Sequence, residues 1–202
     1  MELLVTIIIL ALIFDYINGF HDAANSIATI VSTKVLTPFQ AVLWAAFFNF
    51  VAFFIAKYII GGFGIANTVS KTVVEQYITL PIILAGIIAA IFWNLITWWK
   101  GIPSSSSHTL IGGFAGAAIM ANGFEAIQLN IILKIAAFIF LAPFIGMIIA
   151  FGFTLLVLYI CRRTNPHTAE MWFKRLQLVS SAMFSVGPVS YTHLRAHETL
   201  RH

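Results

Sequence analysis

Two acidic and two amide residues recur along one face of the first apolar segment: Asp15, Asn18, Asp22 and Asn25, spaced i, i+3, i+7 and i+10. On an α-helix that spacing draws them into one stripe, with Ile, Leu, Ala and Phe over the rest of the surface. An acidic side chain at the centre of a spanning helix costs roughly 2.5 to 3.5 kcal/mol on insertion scales, so such a stripe must look toward protein, water or ions. A transport pathway is the reading it favours. Carboxylate and amide oxygens are hard ligands suited to Na+, while an amide N–H can meet an oxygen of an anion. Asp22 and Asn25 are therefore candidates both for holding a coupling ion and for binding substrate.

A second polar group lies far along the chain, in Ser104-Ser105-Ser106-Ser107-His108-Thr109 after Gly101-Ile102-Pro103. One reading is a polar cap and interfacial loop, because serine caps helix starts well. The other is an anion cradle, in which Ser105, Ser106 and Ser107 donate hydroxyl hydrogen bonds beside the free N–H groups of a helix N-terminus. His108 either orients the turn or meets the anion when protonated. A serine hydrolase is a distant third reading: adjacent residues rarely place a nucleophile and its base in hydrogen-bond geometry, and no Gly-x-Ser-x-Gly elbow is present.

The elements that must position these groups are membrane helices. Hydrophobic residues make up 60% of the 202-residue chain and charged residues only 9%, far below the share of about 25% usual in soluble domains. Uncharged runs of spanning length extend over Val35 to Ala56, Gln76 to Trp99, Gly101 to Phe124 and Ile135 to Cys161. With the opening segment they give about five membrane segments in an all-α, polytopic fold that includes broken or re-entrant helices. The opening segment carries Glu2 in place of a basic n-region and a polar row in place of a small-residue cleavage site, so it reads as a retained helix. A break is expected at Asn18-Gly19, and Thr37-Pro38 should start the second helix, with proline in its favoured position.

Smaller features take structural readings. Trp98-Trp99-Lys100 resembles an interface anchor, as do Lys100 and Lys134 on their own. Gly112 and Gly116 form a GxxxG pair that should admit another backbone. Asn49 and Asn94, inside apolar helices, are expected to pair with a neighbouring helix. His21 reads as a packing residue, and Asp15 as either a buried structural group or part of an ion-access path. Cys161 excludes an internal disulfide framework. The net charge of +4 gathers largely in Arg162, Arg163, Lys174 and Arg175, where a cytoplasmic loop should carry it; it gives no support for nucleic-acid binding. Five crossings would then leave the N-terminus outside, with Lys57 and Lys71 on the side opposite the basic cluster, and a segment that enters and leaves by the same face would reverse this.

Beyond this physical reading, Gly19-Phe20-His21-Asp22-Ala23-Ala24-Asn25-Ser26 resembles the Gly-x-Asn-Asp-x-x-Asn signature of the inorganic phosphate transporter family, with His21 in place of the commoner asparagine. Val31-Ser32-Thr33-Lys34-Val35-Leu36-Thr37-Pro38 and the Pro103, Ser105, Ser106, Ser107, His108 pattern are similar to the same family, in the same order. The resemblance implies a carrier of inorganic phosphate in the inner (plasma) membrane, driven by Na+ or H+ and built from two inverted repeats around the substrate. It assigns substrate binding to Asp22, Asn25, Ser105, Ser106, Ser107 and His108, the coupling ion to Asp22 and Asn25, and no catalytic residue or cofactor. A sulfate or other oxyanion permease on the same scaffold is the alternative.

Only the first copy of the Asp/Asn motif is present. Residues 1–187 are thus expected to form one membrane domain, the first repeat, which lacks its second repeat as a partner and should be inactive alone unless two copies pair. Membrane lipid is the other expected partner. From Pro188 to His202 the character changes abruptly, with three histidines, two arginines and a glutamate, which reads as a non-native tail. A metal site at His193, His197 and His202 has no partnering ligand and is not expected.

Overall fold

A computed structural model describes residues 1–55, 58, 71–102 and 104–192, with backbone only at 22, 53 and 187–192. By sequence the second helix should reach Ile60 and Gly61-Gly62-Phe63-Gly64 should open a loop that extends to Gln76; most of that stretch lies outside the described residues, as do Pro103 and the tail histidines. Six α-helices are described: α1 (Glu2–Ser32), α2 (Pro38–Ile55), α3 (Leu80–Lys100), α4 (Ser106–Asn122), α5 (Leu129–Cys161) and α6 (Pro166–Thr192). Among these, α1, α3 and α5 are long and apolar enough to cross a membrane, while the apolar part of α2, Pro38–Ala52, is shorter.

The first helix corrects an expectation. It runs through Asn18-Gly19 without a break and spans 31 residues, about 46 Å at 1.5 Å per residue. A glycine inside a helix costs only about 1 kcal/mol relative to alanine, and packed turns on both sides outweigh that. After Ser32 the chain turns through Lys34, which takes the left-handed conformation (φ 57°). Helix α2 then opens on a reciprocal cap: the Thr37 N–H donates to Gln40 Oε1 at 3.1 Å, and the Gln40 N–H donates to Thr37 Oγ1 at 3.4 Å. Both are donors that no helical carbonyl could serve, and Pro38 sits in the first turn as expected.

Helices α3 and α4 form the central hairpin, closed by Gly101 in the left-handed region (φ 64°) and by the Ile102 N–H donating to the Thr97 carbonyl at 2.8 Å. Their closest approach falls at Gly86 and Gly113. A Cβ on Gly113 would lie 2.6 Å from the Gly86 carbonyl oxygen, whereas Gly112 and Gly116 have open space around them. The GxxxG pair is therefore not the contact. Gly113 lies about 80° of helix rotation from the middle of the face that Gly112 and Gly116 share.

Ile7 and Phe14 of α1 join Ile82, Ile83, Ile87, Ala90, Phe114 and Ala118 in one apolar core. At the end of the hairpin remote from the serines, two connections are tied together. Val73 pairs with Ile127 in an isolated antiparallel bridge, and the Gln128 N–H donates to the Thr72 carbonyl at 2.9 Å. Helix α6 packs on α2 and α1, and α1 also meets α2 and α3. Helix α5 differs: it carries Pro143 within its length and has no fully buried residue, with Ile131, Ile132, Ile135 and Ala136 half-buried and most of its remaining apolar surface exposed.

Candidate functional site

Helix α3 brings the two polar motifs to one end of the fold. Trp98 meets Phe20 edge-on, with 5.6 Å between ring centroids, which fixes the α1 motif against the last turn of α3. Three residues past Trp98 comes the Gly101 turn, and five residues further on α4 begins at Ser106. Residues some 80 positions apart in sequence are thereby gathered near the C-terminal end of one helix. Lys100 rests on the Trp99 ring at 4.6 Å, while Trp98 packs on Phe20.

The stripe on α1 is not uniformly covered. Asn18 is buried, at 3% exposure, Asp15 and His21 are half-buried, and Asn25 is exposed. Asn18 and Asn25 differ by only about 20° around the helix, so rotation does not explain the difference. Height along the axis does. Helix α3 ends at Lys100, two residues beyond its contact with Phe20, and so it covers α1 at Asn18 but runs out before Asn25. Asp22 lies on the helix backbone between them. The His21 ring sits edge-on to Phe20 at 5.4 Å, the packing role expected for it.

The start of α4 carries the cap. Ser105 is the residue before the helix, and its Oγ accepts from the His108 N–H at 3.4 Å. Ser104 and Thr109 hydroxyls lie 3.3 Å apart, and Thr109 Oγ1 also donates to the Ser105 carbonyl at 2.9 Å. Ser106 is buried at 8% exposure, Ser107 is half-buried, and Ser105 and His108 are exposed. The cap reading of the serine run thus holds for Ser105. It does not compete with the cradle reading, because a capped helix start still presents N–H groups and a favourable dipole to an anion.

Sequence reasoning missed the role of Asn94. An amide inside an apolar helix was expected to pair with a neighbour, yet Asn94 is fully buried (0% exposed) with neither Oδ1 nor Nδ2 hydrogen-bonded among the described residues, and Asn18 Oδ1 is equally without a partner among them. Thr97, one turn on, donates to the carbonyls of Trp93 and Asn94 at 2.9 and 3.1 Å and so leaves the amide alone. Asn94 stands eight residues from Gly86, and Ser105 eight residues from Gly113. In an antiparallel hairpin both lie about 12 Å from the crossing, on the same level. Asn18 is two residues from Phe20 and Asn94 four from Trp98, so the ring contact places the two amides within about 9 Å in height. The only sequence signal was an amide in each apolar run; the pairing of levels needs the hairpin register.

On the far side of α1, helix α6 is docked by small polar residues. Ser181 Oγ donates to the Ser26 carbonyl at 2.8 Å, Ser185 Oγ donates to the Ser181 carbonyl at 3.0 Å, and Thr33 Oγ1 donates to Gln177 Oε1 at 2.9 Å. Ser26, Ser181 and Ser185 are all buried. Short serine side chains let the two backbones approach while their hydroxyls donate to backbone carbonyls.

Three apolar helices of spanning length, with two polar motifs at one end of a central hairpin, are the build of an all-α membrane protein. The chain belongs to the phosphate transporter family, whose model matches residues 18–199. It is 46% identical over 186 residues to a probable low-affinity inorganic phosphate transporter of Rhizobium meliloti (strain 1021), covering 92% of this chain and 54% of that protein. To a protein of the same description from Bacillus subtilis (strain 168) it is 45% identical over 195 residues, covering 95% of this chain and 55% of that one. The chain thus spans about half the length of these curated relatives, which are named as transporters and not as enzymes. A solved structure titled the sodium-dependent phosphate transporter shares the fold, with a TM-score of 0.70 and 23% identity over 94% of this chain and 55% of its own.

Proposed function

We propose that this chain is the first half of a multi-pass carrier of inorganic phosphate in the plasma membrane, coupled to symport of Na+ or H+. Its second, inverted half would complete the site. The observation that carries this reading is that both motifs adjoin the C-terminal end of α3, the first through the Phe20–Trp98 contact and the second through the Gly101 turn. Phosphate near neutral pH is a mixture of mono- and dianion that needs many donors, and a carboxylate nearby is tolerable only where it holds a cation or receives the substrate's own hydroxyl proton. Ser105, Ser106, Ser107 and His108 supply the donor side, and Asp22 with Asn25 the cation side. Binding of the cation offsets the anion's charge and so links the two fluxes. The sodium-dependent neighbour favours Na+ over H+.

Exposure of Asn25 fits this assignment, since the surface beyond the end of α3 is where a second half would close over the motif. The deciding experiment is uptake of radiolabelled phosphate by the full-length gene product in liposomes under imposed Na+ or H+ gradients, with sulfate as competitor. Saturable, gradient-driven phosphate uptake that Asp22→Asn abolishes is the expected result. Uptake untouched by Asp22→Asn, or sulfate carried in preference, defeats the reading.

A further inference from the structure

We propose that the junction of α5 and α6 docks on a surface of anionic phospholipid headgroups, whose phosphates are held by Arg162, Arg163 and Arg175. Neither polar motif includes these residues, and lipid binding here is independent of the transport reading.

Helix α5 sets the level of the junction. It has the length and hydropathy of a membrane span, and the stretch from Lys134 to Arg162 carries no charge between its ends. At 1.5 Å per residue that stretch measures about 42 Å, which matches the roughly 40 to 45 Å of a bilayer with its headgroup regions. Arg162 and Arg163 therefore come among the headgroups of one face when Lys134 stands among those of the other. Helix α6 follows after a connection of four residues.

Both helices carry the same device at this junction. The Arg162 guanidinium lies over the Tyr159 ring at 4.4 Å, and that of Arg175 over the Trp172 ring at 5.9 Å. In each pair the arginine follows its aromatic by three residues, so the two share one side of the helix. Tyr159 and Trp172 are well exposed, at 64% and 58%. Exposed amphipathic rings suit the headgroup level of a bilayer, and a guanidinium fork can meet two oxygens of one phosphate. Leu176, Val179 and Met183 continue the Trp172 face of α6 at i+4, i+7 and i+11, all exposed. One face thus offers a cation and a ring for the headgroup and an apolar stripe for the acyl chains.

Charge selects an anionic lipid. Glu170 is the one acidic residue between Glu125 and Glu198, and Lys174 already takes it at 2.7 Å. Among the described residues no carboxylate pairs with Arg162, Arg163 or Arg175, and all three are exposed. A free oxyanion or a nucleic acid would leave the apolar stripe unused, whereas a phospholipid uses the stripe and the charge together.

The test measures lipid binding without transport. The full-length gene product, purified in an uncharged detergent, is titrated with fluorescent phosphatidylglycerol. Saturable binding is expected, displaced by unlabelled phosphatidylglycerol and not by phosphatidylcholine. Arg162→Gln and Arg175→Gln should each weaken it by about fivefold, the worth of one cation at an anionic surface, and Arg175→Lys should weaken it less than Arg175→Gln. All three side chains are exposed, so glutamine leaves the fold intact. Absence of saturable binding overturns the proposal, as does equal displacement by phosphatidylcholine or binding unchanged when all three arginines are replaced by glutamine. Displacement by inorganic phosphate or glycerol 3-phosphate at matched ionic strength would assign the arginines to a free anion and overturns it too.

Discussion

Gly86 and Gly113 hold α3 and α4 in backbone contact: a Cβ on Gly113 would come within 2.6 Å of the Gly86 carbonyl oxygen, and one on Gly86 within 3.0 Å of Phe114 Cα. The hairpin that carries both Asn94 and the serine turn is registered by this contact. Separating the helices there would shift the level of one motif against the other.

Gly113→Ala should therefore destabilise the fold by about 1 to 3 kcal/mol, the usual cost of forcing extra atoms into a packed interface. The obstacle is backbone and cannot swing aside. Gly112→Ala and Gly116→Ala meet open space and should be neutral or stabilising by about 0.5 to 1 kcal/mol through helix propensity. Thermal unfolding in detergent, with the three variants side by side, checks the contrast. Equal effects at all three positions would mean that α3 and α4 do not cross at Gly86.

How much of this was legible beforehand depends on whether a feature is local. The start of α2 was readable because Thr37, Pro38 and Gln40 supply the cap within four residues, and α3 and α5 because their apolar runs reach spanning length. The break at Asn18-Gly19 was misread because one glycine signals a weak point, while the packing that overrides it comes from α3. The choice of Gly113 over the Gly112/Gly116 pair, and the unpartnered state of Asn94, both depend on which faces two helices turn to each other. One sequence without partners in view carries no information on that. Within the candidate site, the serine turn was recognisable by composition, but only the structure distinguishes buried Ser106 from capping Ser105.

Ser181→Ala removes the hydrogen bond that ties α6 to the Ser26 carbonyl. A loss of about 0.5 to 1.5 kcal/mol is expected, the net value of one such bond. Ser181→Thr should test the other half of the seam, because an added methyl group in a buried small-residue contact pushes α6 away from α1. Limited proteolysis in the connection between α5 and α6 should speed up in the threonine variant. Unchanged cleavage would show that the seam has room to spare.

Glu170 and Lys174 form an ion pair at 2.7 Å one turn apart on α6, both well exposed. The hydrogen bond from Lys174, and then its charge, hold the Glu170 carboxyl below the ordinary carboxylate range. A depressed value means that the pair's contribution to stability is present above the ordinary range and is lost as pH falls through the lowered one. Solvent screens an exposed pair, so little stability is at stake. Lys174→Met should raise the Glu170 titration midpoint, followed by carbon-13 NMR of the carboxyl, and leave the unfolding temperature nearly unchanged.

Ser105 separates capping from anion binding, since the two demands can be opposed in one substitution. Aspartate caps a helix as well as serine does, and its charge suits the helix dipole, so Ser105→Asp should keep α4 as stable as in the wild type. The same carboxylate placed at the mouth of a phosphate cradle repels the substrate. Uptake by the full-length protein should fall by roughly tenfold or more, because juxtaposed like charges cost several kcal/mol. Ser105→Ala supplies the reverse: a cap loss of about 0.5 to 2 kcal/mol, with uptake reduced less than by aspartate. If aspartate leaves both stability and uptake intact, the hydroxyl at this position only caps, and the anion is held by groups deeper than the mouth of α4.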